Sequence, residues 1–113
     1  SSPAVRALAT ATIMARELKV AASIVRQDER LYLAGPADMF TVIRDLGGDA
    51  RHLMVFGHNP GITDFANRLS AGDRIDNMPT SAVFTATFAI DDWSKLDWAS
   101  GQDAQFDYPK NLS

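Results

Sequence analysis

The chain alternates between two periods of hydrophobic spacing. Ala4, Ala7, Leu8, Ala11, Met14, Ala15 and Leu18 recur on one face at helical spacing and predict a first helix. Ser2-Pro3 supplies an N-cap and a proline for the first helical position. The alanine-rich stripe lets this helix lie close to a sheet. A second helix starts at Gly35-Pro36, with Met39, Phe40, Ile43 and Leu46 on one face, and Gly47-Gly48 ends it. A third carries Ile62, Phe65, Ala66 and Leu69, with Asp64 in its first turn and Gly72 after it. Between them, Leu53-Met54-Val55-Phe56 is apolar without alternation, as in a strand buried on both faces of a parallel sheet.

A short strand is expected near residues 23–25. After the third helix the period becomes two: Phe84, Ala86, Phe88 and Ile90 alternate with Val83, Thr85, Thr87 and Ala89. Asp91-Asp92 makes a turn, and residues 93–99 return as an antiparallel strand. The tail with Phe106, Tyr108 and Pro109 is apolar enough to dock. The order α-β-α-β-α-β-β predicts an α/β layered sheet with an antiparallel edge.

Composition narrows the function classes. A chain of 113 residues, 46% hydrophobic and 22% charged, makes one soluble-type domain over residues 1–113. No apolar run is long enough to cross a bilayer. The net charge of −3 argues against a broad basic face for nucleic acid and against a polybasic membrane anchor. Residues 1–70 carry eight basic and seven acidic groups, while residues 71–113 carry three and seven. An anion is therefore expected in the first part. Without cysteine there is no disulfide scaffold and no thiolate nucleophile. Neither His52 nor His58 has the neighbours of a metal site.

The strongest local chemistry lies at Gly57-His58-Asn59-Pro60-Gly61. In α/β sheets ligands bind beyond the carboxyl ends of strands. His58 sits one residue past such an end and just before a helix N-terminus, whose unpaired N–H groups favour an anion. It could donate to a phosphate oxygen or shuttle a proton; a capping or core histidine is the other reading. Arg6 lies in the first turn of a helix, where a cation opposes the helix dipole. Pairing with an anion would explain it, and so would simple solvation. The glycine loop lacks the Lys-Ser/Thr ending of a P-loop, and no Gly-x-Ser-x-Gly elbow exists. Trp93 and Trp98 read as packing, Asp73, Asp76 and Asp91-Asp92 as turns, and His52 as structural or exposed.

Taken together, these pieces resemble the histidine phosphatase superfamily. Residues 2–11, Ser-Pro-Ala-Val-Arg-Ala-Leu-Ala-Thr-Ala, are similar to its Ser-Pro-x-x-Arg-Ala-x-x-Thr-Ala segment. Val55-Phe56-Gly57-His58-Asn59-Pro60-Gly61 is similar to its second-histidine motif, most of all in the SixA-type phosphohistidine phosphatases. Leu31-Tyr32-Leu33-Ala34-Gly35-Pro36, Ala66-Asn67-Arg68-Leu69, Asn77-Met78-Pro79-Thr80 and Pro109-Lys110-Asn111-Leu112 resemble the same branch.

The resemblance implies a phosphoglycerate-mutase-like, three-layer α/β sandwich with a mostly parallel central sheet. It implies phosphoryl transfer to a histidine in an N-terminal Arg-His-Gly motif, then hydrolysis of the phosphohistidine. Arg6 would be the second phosphate-clamping arginine, and His58 the second histidine, which stabilises the transferring group. Asn59 and Ser81 are further candidates for the phosphate, and Asp38 for the general acid, against its reading as a first-turn helix aspartate. The substrate would be a phosphorylated protein or a small phosphate monoester, in the cytoplasm, without cofactor or metal. The chain departs from the pattern in one respect: it contains no Arg-His-Gly. The family places that motif on the first strand, upstream of Ser2-Pro3, so the nucleophile and first strand are expected outside these residues. A non-catalytic phosphate-binding or interaction module is the alternative.

Overall fold

The computed structural model describes residues 1–71, 74–79 and 82–108. Three helices form where the 3.6-residue period runs: α1 (Val5–Glu17), α2 (Pro36–Leu46) and α3 (Gly61–Leu69). α2 begins with the proline and ends at the glycine pair, where Gly48 takes a φ of 57°. α1 begins two residues later than its proline suggests. Ala4 is its N-cap, and the Ser2 hydroxyl is drawn instead to a distant partner described below.

The sheet is smaller than expected. β1 (Val83–Thr87) and β2 (Gln102–Asp107) pair antiparallel, with Phe84 opposite Phe106 and a register shift between Thr85 and Thr87. The expected alternation holds in β1, where Phe84 and Ala86 are half-buried and Val83, Thr85 and Thr87 exposed. The compact α/β fold therefore has three helices and a two-stranded antiparallel sheet among the described residues. A three-layer sandwich with a parallel central sheet is not present in it. One isolated parallel bridge joins Ser70 to Gly101.

Three local expectations are corrected. The strand near residues 23–25 is a 3-10 turn, Ala22–Ile24, because its amides find acceptors within the turn: Ile24 N–H bonds the Ala21 carbonyl and Val25 N–H that of Ala22. The return strand at residues 93–99 gives way to the turn Trp93–Lys95. There the Asp92 carboxylate accepts the Ser94 N–H at 2.9 Å, and the Trp93 indole is pinned to the Ala50 carbonyl at 2.7 Å. The antiparallel partner is instead the tail, as β2. Finally, residues 53–56 form no ladder, since no described strand lies beside them.

The core lies between α2, α3 and the segments that cross them. Met39, Val42 and Ile43 of α2 meet Phe65 and Leu69 of α3, with Leu31, Ala34 and Leu96. Trp98 closes this core, stacked on Phe40 at 4.2 Å and edge-on to Phe65 at 5.9 Å. Close approach fixes one glycine: a β-carbon at Gly61 would run into the Ala34 carbonyl oxygen. α1 buries only its small stripe, Ala7, Ala11 and Ala15. Beside it an apolar cleft of about 650 Å³ runs over residues 53–56, between Met14 and Leu18 of α1 and Val42 and Leu46 of α2. No described helix is long and apolar enough to cross a membrane.

Candidate functional site

His58 is held from three directions. Its carbonyl accepts the Ile62 N–H at 2.8 Å, which starts α3. Its ring Nε2 lies 2.8 Å from the Ser2 Oγ. The Tyr32 ring meets it edge-on, with centroids 5.8 Å apart. Ser2 is fully buried, and its backbone N–H donates to the Phe56 carbonyl at 2.9 Å. Its Oγ also accepts the Ala4 N–H at 3.2 Å. Two segments 56 positions apart are thus tied together, so that His58 sits at the start of α1.

The same neighbourhood gathers the beginnings of the other two helices. α3 starts at Gly61, and Gly61 lies against Ala34, which leads into α2. The Met39 methyl group of α2 lies beneath both Gly57 and Gly61. Helix beginnings carry unpaired N–H groups and a partial positive charge. In α1 the N–H groups of Val5, Arg6 and Ala7 have no hydrogen-bond partner among the described residues. This is an environment that stabilises an anion.

Arg6 is the second residue of α1 and is exposed. Its guanidinium makes no hydrogen bond or ion pair among the described residues. Ser2 thus brings His58 to the end of α1 that carries Arg6, while no hydrogen bond joins the arginine to the histidine. The strand end expected just before His58 pairs with no described strand, and helix N-termini adjoin the histidine instead.

Asn59 has taken on structural work. Its Nδ2 donates to the Met78 carbonyl at 2.7 Å, and its Oδ1 accepts from the Thr63 hydroxyl at 2.5 Å. Thr63 in turn accepts the buried Met78 N–H at 3.0 Å. The amide clamps residues 77–79 onto α3 and keeps one N–H uncommitted. Asp38 stands exposed in the first turn of α2, next to Met39. Ser81 and Thr80 lie outside the described residues, as do Gly72, Asp73 and residues 109–113.

Arg30 is engaged away from this site. Arg30 bonds Asp28 and Asp45, each at 2.8 Å, and its hydrogen bond to Asp28 holds that carboxyl below its ordinary range. His52 is exposed and lines both the apolar cleft and a second one of about 580 Å³ against β1 and Trp93. Neither cleft is lined by Arg6 or His58. Among the described residues, no group of three or more His, Asp or Glu side chains is placed to hold a metal ion.

The side chains that sequence reasoning missed are Ser2 as the partner of His58, and the Thr63–Met78 pair behind Asn59. Ser2 was marked as a cap by its position before Pro3. Nothing in local spacing links positions 2 and 58. Thr63 follows Asn59 by four residues, a spacing that puts two side chains on one face of a helix. That signal was readable. Set against known proteins, the chain is matched by no family model, no curated protein and no solved structure.

Proposed function

We propose that these residues form the phosphate-holding part of a phosphatase that works through a phosphohistidine intermediate. The observation that carries this reading is the Ser2–His58 hydrogen bond, which sets His58 at the N-terminal end of α1, the helix that carries Arg6 in its first turn. The donor set suits a phosphoryl group. Arg6 offers a planar fork for two oxygens, His58 a ring nitrogen, and α1 its free N–H groups. Catalysis of phosphoryl transfer is largely positioning and charge stabilisation, and that is what such a set supplies.

The nucleophile in this reading is a histidine outside the 113 residues. Its ring nitrogen attacks phosphorus in line while the bond to the leaving group breaks, and the leaving group takes a proton from an acid. Water then cleaves the phosphohistidine. No described side chain replaces that nucleophile. Ser2 sits against His58 as a serine nucleophile sits against its base, yet it is fully buried and has no path to a substrate. The substrate class is a phosphohistidine or a small phosphate monoester, and the setting is the cytoplasm.

Residues 53–56 support a larger parallel sheet in the complete protein. The backbone of residues 53–55 has no hydrogen-bond partner among the described residues, and it runs along an apolar cleft. An extended segment in that state is completed by another strand. The nucleophile would ride on that strand. The absence of Arg-His-Gly within the 113 residues favours the second reading, a phosphate-binding module without catalysis.

Phosphate release by the full-length parent protein decides between them. Arg6→Ala and His58→Ala should each lower kcat by about 10²–10³-fold, the usual cost of losing one donor to a developing charge. Unchanged turnover in both variants would remove the catalytic assignment. A parent that binds inorganic phosphate and releases none from any substrate would establish the binding module.

A further inference from the structure

The hydrogen bonds around Ser2 specify which nitrogen of His58 carries the proton. A serine hydroxyl has one hydrogen to donate and two lone pairs to accept with. Ser2 has no exposed surface, so water cannot serve either need. One lone pair takes the Ala4 N–H. The remaining neighbour of Oγ is His58 Nε2, at 2.8 Å. If Nε2 carried a hydrogen and donated it to Oγ, the Ser2 hydrogen would be left without an acceptor in the interior. Folded proteins avoid that arrangement. With Ser2 donating to a bare Nε2, the buried hydroxyl uses its hydrogen, and both groups that face it are paired.

We propose that Ser2 is a positioning residue that locks neutral His58 in the tautomer with its proton on Nδ1. That nitrogen has no partner among the described residues. The ring therefore keeps an N–H donor on Nδ1, and its lone pair on Nε2 stays turned towards Ser2. A donor attracts an anion; a lone pair would repel one. The second nitrogen of a functional histidine is commonly governed in this way by the bond its first nitrogen makes. The use of this donor rests on the phosphate reading of His58, but the tautomer itself does not.

The test is histidine ¹⁵N NMR of the chain in alkaline solution, where imidazole is neutral. Wild-type His58 should show a protonated Nδ1 and a bare Nε2, by about tenfold or more. Ser2→Ala should reverse the preference towards Nε2–H, the form favoured by free imidazole, and Ser2→Thr should restore Nδ1–H. His52, exposed and without a hydrogen bond to Ser2, should not change. A wild-type His58 with its proton on Nε2 overturns the proposal even if Ser2→Ala does not fold. So does a folded Ser2→Ala protein with an unchanged tautomer. If the tautomer is as stated and inorganic phosphate does not perturb His58, the phosphate reading fails and the role of Ser2 stands.

Discussion

The two sides of α2 differ in how their apolar residues are used. Towards α3, Met39, Val42, Ile43, Phe65 and Leu69 close on one another, and Trp98 seals them. Towards α1, Leu18, Leu46, Leu53 and Met54 are equally apolar but stay exposed along an open cleft. Hydrophobic burial scales with area removed from water, so composition alone does not stabilise the second region. What separates the two is backbone pairing. The helices satisfy their own peptide groups and can pack directly. Residues 53–55 cannot do so without a neighbouring strand.

This contrast can be broken by truncating one residue on each side. Phe65→Ala, at a side chain 4% exposed, should cost about 3–5 kcal/mol in urea unfolding. Leu53→Ala, at 37% exposure, should stay within about 0.5 kcal/mol. Equal losses would mean that the cleft is closed in solution. A smaller effect is expected where the site meets the core. Thr63→Val keeps the shape but leaves the buried Met78 N–H unpaired and frees one side of Asn59. It should cost about 1–3 kcal/mol. A neutral result would show that residues 77–79 do not depend on this clamp.

The smallest effect belongs to the seam between the two regions. Asp28 N–H bonds the Ser1 carbonyl, and Arg30 links the Asp28 carboxylate to Asp45 of α2. Arg30 lowers the Asp28 pKa in the folded state. A lowered carboxyl stabilises the fold above its unfolded value and loses that contribution as pH falls through its folded value. Asp28→Asn should therefore shift the urea midpoint down at neutral pH. The difference from the parent should shrink below pH ~3, under the ordinary aspartate value. A gap that is constant across this range would show that the ion pair contributes nothing.

The sequence made the helices legible because their periodicity is local. Met39, Phe40, Ile43, Ile62, Phe65 and Leu69 declare two faces without reference to anything else. The alternation around Phe84 was legible for the same reason. The partner of β1 was not, since Asp92 captures Ser94 locally and the chain runs on to residue 102 before it pairs. Residues 53–56 have the pattern of a central strand, and a pattern cannot supply the neighbour that makes it one. In the site, Gly57-His58 before a helix start was readable as an anion position, and Arg6 as a cation in an unfavourable place. The contact that joins these two segments runs through a serine, a residue type too common to mark.

The central claim is that Arg6 and His58 serve one anion at the start of α1. The most direct measurement is a titration of the chain with inorganic phosphate, followed at the side-chain nitrogen resonances of Arg6, His58 and His52. The two histidines share one solution and one pH, so His52 is an internal reference. Saturable shifts are expected at Arg6 and His58 at millimolar phosphate or below, with His52 unmoved. No shift at Arg6 and His58, or the same shift at His52, would contradict it.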